Sequence, residues 1–117
     1  MLLWAAADAL DAESRGKLEA AERLLVSVAS MWEIEIKRAK GRLTAPPDLA
    51  ERAVGEGFEP LSITMEHARE AGRLPPHHDD PFDRMLVAQA RVEGLTLATA
   101  DARLAAYELP VLDVQRI

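Results

Sequence analysis

Short apolar runs alternate with helix-like segments along this chain, and this alternation constrains the fold more than any other feature. Residues 24–28, 58–63, 95–99 and 111–112 have the length and composition of buried strands. Segments with helical spacing or capping signals lie before and between them, at about residues 11–22, 30–41, from 48 onward, 64–73, 81–93 and 101–107. We therefore predict an α/β sandwich with a largely parallel central sheet flanked by helices. In such folds the active site collects at the carboxyl ends of the strands.

The composition excludes several classes of protein. The chain has 117 residues, a length that predicts one domain, and it has no cysteine, which rules out disulfides and cysteine-bound zinc. We expect a cytoplasmic protein, and no apolar run approaches the roughly 20 residues that span a membrane. The net charge is −6, which argues against RNA binding through bulk charge. A local basic patch beside an acidic centre stays possible.

Three acids stand at or near the starts of predicted helices: Glu33, Asp83 and Asp101. Helix capping is one interpretation, because Ser30-x-x-Glu33 has the spacing of a capping box and Asp80 precedes Asp83 by the same interval. Asp101 alone would make a good N-cap, worth about 1 kcal/mol. For any one of these acids taken by itself, capping is the more common role.

Taken together, the acids favour a shared site. Asp83 lies on the same helical face as apolar residues at i+3, i+4 and i+7, so its carboxylate follows the stripe that should be buried. A parallel sheet would gather at least Glu33 and Asp101 at one edge. Two carboxylates about 4 Å apart repel by about 4 kcal/mol at an effective dielectric constant near 20. A divalent cation such as Mg²⁺ or Mn²⁺, which prefers oxygen ligands, would remove that repulsion.

Four segments carry a family resemblance: VSVASMWEI at 26–34, KRAKGRL at 37–43, LPPHHDDPFDR at 74–84 and LTLATAD at 95–101. In this order and spacing, the chain resembles the VapC-type toxins of the PIN-domain family along nearly its whole length. The resemblance implies a PIN fold, metal-dependent endonucleolytic cleavage of RNA, a small antitoxin bound in the active-site groove, and a homodimer. It places the family's acidic set on Glu33, Asp83 and Asp101. It also places a Thr-x-Asp pattern on Thr99 and Asp101, with the threonine hydroxyl holding the hydrogen-bond network of the site.

The start of the chain departs from that family. Its members carry their first acid at the end of a first strand, ahead of a Leu-Leu-Trp helix, and this chain begins with Met1 at that helix. We therefore expect residues 1–7 to be helical, and residues 1–117 to be a single PIN-like domain without its first strand and first acid. The natural protein would begin roughly ten residues earlier, the length of one strand and its turn. The missing acid also favours an alternative function, a catalytically impaired PIN domain that acts as an antitoxin-binding module.

A basic cluster follows the first acid and contains Lys37, Arg38, Lys40 and Arg42. These side chains could contact RNA phosphates beside the metal site. They could equally be favourable charges at the C-terminus of a helix, each worth a few tenths to about 1 kcal/mol. The sequence leaves both roles open.

Two pairs of residues attract attention for other reasons. His77 and His78 are adjacent, but neighbours in an extended loop point in opposite directions, so we favour a loop role over joint metal binding. Trp4 and Trp32 are expected in the core or at an interface. With so few aromatic residues, at 4% of the chain, a stacking platform for single-stranded RNA is not expected.

Overall fold

A five-stranded sheet in the order β3-β2-β1-β4-β5 forms the centre of the computed structural model, and all of its strand pairs are parallel. The structure describes residues 2–4, 23–44, 46–77, 79–99, 102–107 and 111–113. In chain order the elements are β1 (Leu2–Trp4), β2 (Leu24–Ser27), α1 (Val28–Ala39), α2 (Leu49–Gly55), β3 (Phe58–Leu61), α3 (Met65–Arg73), α4 (Pro81–Glu93), β4 (Thr96–Thr99), a 3-10 helix (Ala102–Tyr107) and β5 (Val111–Asp113). The predicted α/β architecture is confirmed. The helix predicted for residues 11–22 lies outside the described residues.

The first strand corrects the interpretation of the chain's start. Leu2–Trp4 is a strand, not a helix, and it lies between β2 and β4 in the middle of the sheet. Leu3 is in register with Leu25 on one side and with Leu97 on the other. The helix expected at the start of the chain is therefore wrong for these residues, which fill the central position of the sheet, and the earlier start of the natural protein stays a prediction. The sequence misled because a short apolar run has no period that separates a strand from a helix.

Helix boundaries follow local capping signals. Thr64 and His67 form a capping box at the start of α3, and Asp80 caps α4 with Pro81 at its first position. Gly94 ends α4 in the left-handed conformation at φ 67°, which glycine adopts without strain. These three boundaries confirm the prediction. Helix α1, by contrast, starts at Val28 and not at the predicted Ser30.

The core is built around α4. Residues 86–90 are all buried, and the apolar ones pack against Leu25 and Leu97 of the sheet and against Leu104 and Tyr107 of the 3-10 helix. The apolar stripe predicted on this helix is thus confirmed and extended, since Ala88 and Gln89 on its other sides are buried too. Burial on all sides is typical of a helix enclosed by the domain.

An ion pair joins the beginnings of β2 and β3. The Arg23 guanidinium donates to both carboxylate oxygens of Glu59, at 2.7 and 2.6 Å. These hydrogen bonds lower the pKa of Glu59 from its usual value.

Within the described ranges, no helix is both long and apolar enough to cross a lipid bilayer.

Helices α3 and α4 run antiparallel, and Arg84 fastens one end of the pair. Its guanidinium donates to the carbonyl oxygens of Ala71 at 2.9 Å, Leu74 at 3.0 Å and Pro75 at 3.1 Å. The C-terminal carbonyls of a helix have no partners within the helix itself. Arg84 therefore satisfies the end of α3 and holds the loop that leads into α4.

Replacing Arg84 should cost stability. We expect Arg84→Met to lower the free energy of unfolding by about 2–3 kcal/mol, because hydrogen bonds from a charged group are lost and carbonyl groups are left without a donor. Urea unfolding measures this, with an unchanged m-value as the sign that only stability has changed. The control is Arg69→Met, an exposed arginine on α3. Equal unfolding midpoints for the two variants would contradict the assigned role.

Candidate active site

Two contacts fix how α1 and α4 lie against each other. The Ser27 hydroxyl, which caps α1, donates to Gln89 Oε1 late in α4 at 2.5 Å. Further along α1, Trp32 meets Phe82 at the start of α4, with ring centroids 5.2 Å apart and planes at 74°. Going forward along α1 from Ser27 to Trp32 therefore corresponds to going backward along α4 from Gln89 to Phe82. The two helices therefore run antiparallel past each other.

This arrangement brings two of the candidate acids to matching heights. Glu33 follows Ser27 by six residues, and Asp83 precedes Gln89 by six. At 1.5 Å of rise per residue, each acid lies about 9 Å along its helix from the Ser27–Gln89 hydrogen bond. Glu33 is also the residue directly after Trp32, and Asp83 the residue directly after Phe82, whose rings are in contact. Two neighbouring helices thus present one carboxylate each at the same level.

Glu33 is not part of a cap. Ser27 is the N-cap of α1, and its Oγ accepts a hydrogen bond from the Ala29 backbone N–H at 3.0 Å. Ser30 lies inside the helix, so the capping box predicted from Ser30 and Glu33 is wrong. The Glu33 carboxylate, with its side chain 20% exposed, lies instead 3.5 Å from Lys37 Nζ one turn later. Ser27, not Ser30, is the cap because the backbone at Ser27 is extended, as it typically is at the N-cap of a helix.

Asp83 does not act as the N-cap of its helix either. Asp80 does, because its Oδ1 accepts hydrogen bonds from the backbone N–H groups of Phe82 at 2.8 Å and Asp83 at 3.2 Å. The Asp83 side chain is half-buried and lies in the first turn of α4. The capping pattern predicted at this helix start is confirmed for Asp80.

Thr99 ends β4 at the carboxyl edge of the sheet. It is buried, and it shares a sheet face with Leu97, which packs into the core against α4. Its backbone is in register with Asp113 of β5, an acidic position at this edge that the sequence analysis did not single out. The signal that could have identified Asp113 was its position directly after the predicted final strand. Asp101 lies outside the described residues.

The donor atoms near Glu33 and Asp83 fit a hard divalent cation. Carboxylates are the ligands that Mg²⁺ and Mn²⁺ prefer. Ser30, one turn before Glu33 on the same helix, has a buried Oγ without a hydrogen-bond partner in the described structure. Among the described residues, no group of three histidine, cysteine, aspartate or glutamate side chains is close enough to hold a metal. A shared ion at Glu33, Asp83 and Asp101 therefore stays a prediction.

A comparison with models of protein families identifies the family of the chain. The model of the PIN domain family matches residues 2–109 of the chain. The chain belongs to the PIN domain family. No curated protein is similar enough to this PIN domain to be matched.

Solved structures share the fold. VapBC2 from Rickettsia felis, bound to a DNA fragment from its promoter, matches with a TM-score of 0.68 at 12% identity, over 98% of this chain and 100% of that one. FitAcB from Neisseria gonorrhoeae matches with a TM-score of 0.67 at 17% identity, over 97% of each chain. A toxin-antitoxin complex from Klebsiella pneumoniae matches with a TM-score of 0.68 at 16% identity, over 100% of both chains.

The basic cluster of this PIN domain divides into two pairs. Lys37 is paired with Glu33, and Arg38 with Glu35, both within α1. Lys40 and Arg42 follow at and beyond the end of the helix, and both are exposed. Charges on the last turn of α1 suit a helix C-terminus, whereas exposed cations beyond it suit a phosphate contact. The structure thus separates a paired half of the cluster from an exposed half, and contact of either half with RNA stays a prediction.

The remaining candidates have separate positions. Trp32 is 60% exposed, which excludes the core and leaves the interface role as a prediction. The side chain of Trp4 and the whole of His78 lie outside what the structure describes. His77 lies in the predicted loop, where its ring meets Tyr107 edge-on with centroids 5.0 Å apart.

Sequence reasoning missed three buried polar residues in and next to α4 of this PIN domain. Ser27, His67 and Gln89 are all fully buried. A glutamine within a helix segment that is otherwise apolar was the only signal, and such a residue needs an internal partner. The partner could not be named, because Ser27 is 62 residues away along the chain.

Neutralising the acids tests whether they share an ion. We expect Glu33→Gln and Asp83→Asn each to weaken Mn²⁺ binding at least about tenfold, because each removes a charged ligand while the helices keep their packing. Titration followed by electron paramagnetic resonance measures free Mn²⁺. Glu35→Gln is the matched control, since Glu35 is exposed on the same helix. If all three variants bind Mn²⁺ like the parent, the acids do not form a metal site.

Proposed function

We propose that this PIN domain is a metal-dependent endoribonuclease of the VapC toxin type, which acts in the cytoplasm and is neutralised by a small antitoxin. The observation that carries the proposal is the pair of carboxylates, Glu33 and Asp83, at matching heights on two helices that a buried hydrogen bond ties together. The PIN family match and the resemblance to VapC-type toxins support the reaction class.

The proposed mechanism assigns distinct tasks to the residues of this chain. Glu33, Asp83 and Asp101 would hold Mg²⁺ or Mn²⁺ through their carboxylate oxygens. Such an ion, when bound, activates a water molecule and stabilises charge on the scissile phosphate. Lys37 restrains the Glu33 carboxylate through their ion pair, and Thr99 brings a hydroxyl to the carboxyl edge of the sheet for the hydrogen-bond network. Hydrolysis by water requires no side-chain nucleophile.

An exposed apolar surface on α1 supports the antitoxin partner. Val28 and Trp32, one helical turn apart, are 44% and 60% exposed. Large apolar side chains exposed together often mark a protein interface. The structural neighbours from Rickettsia felis, Neisseria gonorrhoeae and Klebsiella pneumoniae include complexes of a toxin with its antitoxin. We propose that the antitoxin covers this surface, beside Glu33. The homodimer implied by the resemblance stays a prediction.

A catalytically impaired PIN domain that binds an antitoxin is the second candidate. It is supported by Trp32, which is 60% exposed on α1 and would suit an antitoxin interface whether or not the domain cleaves RNA. The two candidates share the interface and differ in the chemistry. Binding of the antitoxin without any cleavage of RNA would identify the binding module.

Cleavage of RNA tests the proposal directly. We expect the purified chain to cut total bacterial RNA in the presence of Mn²⁺, with new 5′ ends located by sequencing, and to stop when the metal is chelated. Asp83→Asn should slow cleavage about a hundredfold or more, since a hundredfold corresponds to only about 2.7 kcal/mol of transition-state stabilisation. Glu35→Gln should cut like the parent. Cleavage that persists in chelator, or in Asp83→Asn, contradicts the proposed mechanism.

The salt dependence of RNA binding tests the basic cluster. In an Asp83→Asn background, which keeps the RNA intact, each phosphate contact contributes about 0.7 to the slope of log affinity against log salt on single strands. We expect Lys40→Ala with Arg42→Ala to flatten this slope by about 1.4. Lys37→Ala with Arg38→Ala should flatten it less, because both side chains already pair with acids of α1. Unchanged slopes in both variants leave the cluster as helix-end charges.

A further inference from the structure

A chain of buried hydrogen bonds runs from the start of α1, across α4, to α3. Ser27 Oγ lies 2.5 Å from Gln89 Oε1, and Gln89 Nε2 lies 3.4 Å from His67 Nδ1. His67 Nε2 then lies 2.8 Å from Glu93 Oε1. Ser27, Gln89 and His67 are each 0% exposed, whereas the Glu93 side chain is 40% exposed. The chain therefore ends at a carboxylate that reaches water.

The donors and acceptors in this chain can be assigned from fixed backbone groups. Ser27 Oγ accepts from the Ala29 N–H, so the hydroxyl proton is free to go to Gln89 Oε1. Gln89 Nε2 lies 3.3 Å from the Ser62 carbonyl oxygen, which can only accept, so this end of the amide must be the NH₂ group. The amide of Gln89 therefore has one permitted orientation.

His67 is fixed in the same way. Its Nδ1 accepts a hydrogen bond from the Thr64 backbone N–H at 3.1 Å, so the proton of the neutral ring is on Nε2. That proton is donated to Glu93. From Ala29 to Glu93, every bond thus runs in the same direction, an arrangement in which each bond strengthens the next. Rotation of the Gln89 amide would break bonds at both of its ends.

We propose that Gln89 is a positioning residue that sets the spacing between α1 and α4, and so between the Glu33 and Asp83 carboxylates. Gln89 and Asp83 are on one helix, and Ser27 begins the helix that carries Glu33. The Ser27–Gln89 hydrogen bond is therefore a link between the two acid-bearing helices. Its consequence for metal binding rests on the proposed function, whereas its consequence for helix spacing does not.

The link supplies a restraint that apolar packing around it does not. Loss of a residue that bonds directly to a metal ligand typically changes metal affinity or activity 10- to 100-fold, and we expect an effect in this range from Gln89, which acts on the two acids through their helices. Apolar contacts have no preferred direction, whereas a buried hydrogen bond fixes direction as well as distance. Removal of the Gln89 amide should therefore broaden the spacing of the helices without unfolding the domain.

Distances between spin labels test the helix spacing independently of any ligand. The sequence contains no cysteine, so a pair introduced at Glu35 on α1 and Arg91 on α4, both exposed, can be labelled selectively. We expect a narrow distance distribution in the parent and a broader one in Gln89→Met. Val87→Ala, a buried change on the same helix, is the control for general loss of packing and should leave the distribution narrow. Equal widths in the parent and Gln89→Met overturn the proposal.

A second pair of variants covers the case in which Gln89→Met does not fold. Ser27→Ala removes the hydroxyl that donates to Gln89, whereas Ser27→Thr keeps it. We expect a broad distribution in the first and a narrow one in the second. Broad distributions in both, or narrow ones in both, overturn the assignment.

Mn²⁺ affinity, measured on unlabelled proteins, tests the consequence for the site. We expect Gln89→Met to bind Mn²⁺ about 10- to 100-fold more weakly than the parent, and Val87→Ala to bind it like the parent. Unchanged affinity in Gln89→Met overturns the role in positioning the acids. If the parent itself binds no Mn²⁺, the proposed function fails, and the label distances still decide whether Gln89 sets the helix spacing.

Discussion

The burial of a complete turn of α4, residues 86–90, is the constraint on which the rest of the structure depends. A helix enclosed on all sides gains apolar contacts in every direction, but any polar side chain within that turn must find its partner inside the protein. Gln89 is that side chain. Its two ends reach the strand β2 through Ser27 and the start of α3 through Ser62 and His67. One buried amide therefore supplies directional links among three elements, which non-directional apolar contacts do not.

The parts of the fold that could be predicted from the sequence are those with local signals. Thr64, Asp80 and Gly94 each mark a helix boundary through a cap or a backbone conformation, and the structure places the boundaries there. The start of α1 was predicted too late, because Ser27 and Ser30 are both reasonable caps and only the end of β2 decides between them. The short run Leu2–Trp4 carries no period, so its place in the sheet depends on pairing with strands far along the chain.

For the candidate site, the sequence could identify the acids but not what holds them. Glu33 and Asp83 stand out through their motifs and their places next to strand and helix boundaries. Their matching heights follow from the contacts of Ser27 with Gln89 and of Trp32 with Phe82, which join segments that are distant in sequence. The exposure of Trp32 could not be predicted either, because its helix has apolar residues on more than one side and only the neighbouring elements determine which side is covered.

The order of the strands has a consequence for the synthesis of the protein. β1 has a partner on each side: β2 begins at Leu24, whereas β4 begins only at Thr96. Because β4 is synthesised long after β1 and β2, the middle of the sheet cannot close during translation until the chain has passed Thr99. Such pairings between distant segments are slow to form, because a long loop must close before they contribute stability. The topology thus delays assembly of the carboxyl edge until β4 has been made, long after the helix that carries Glu33.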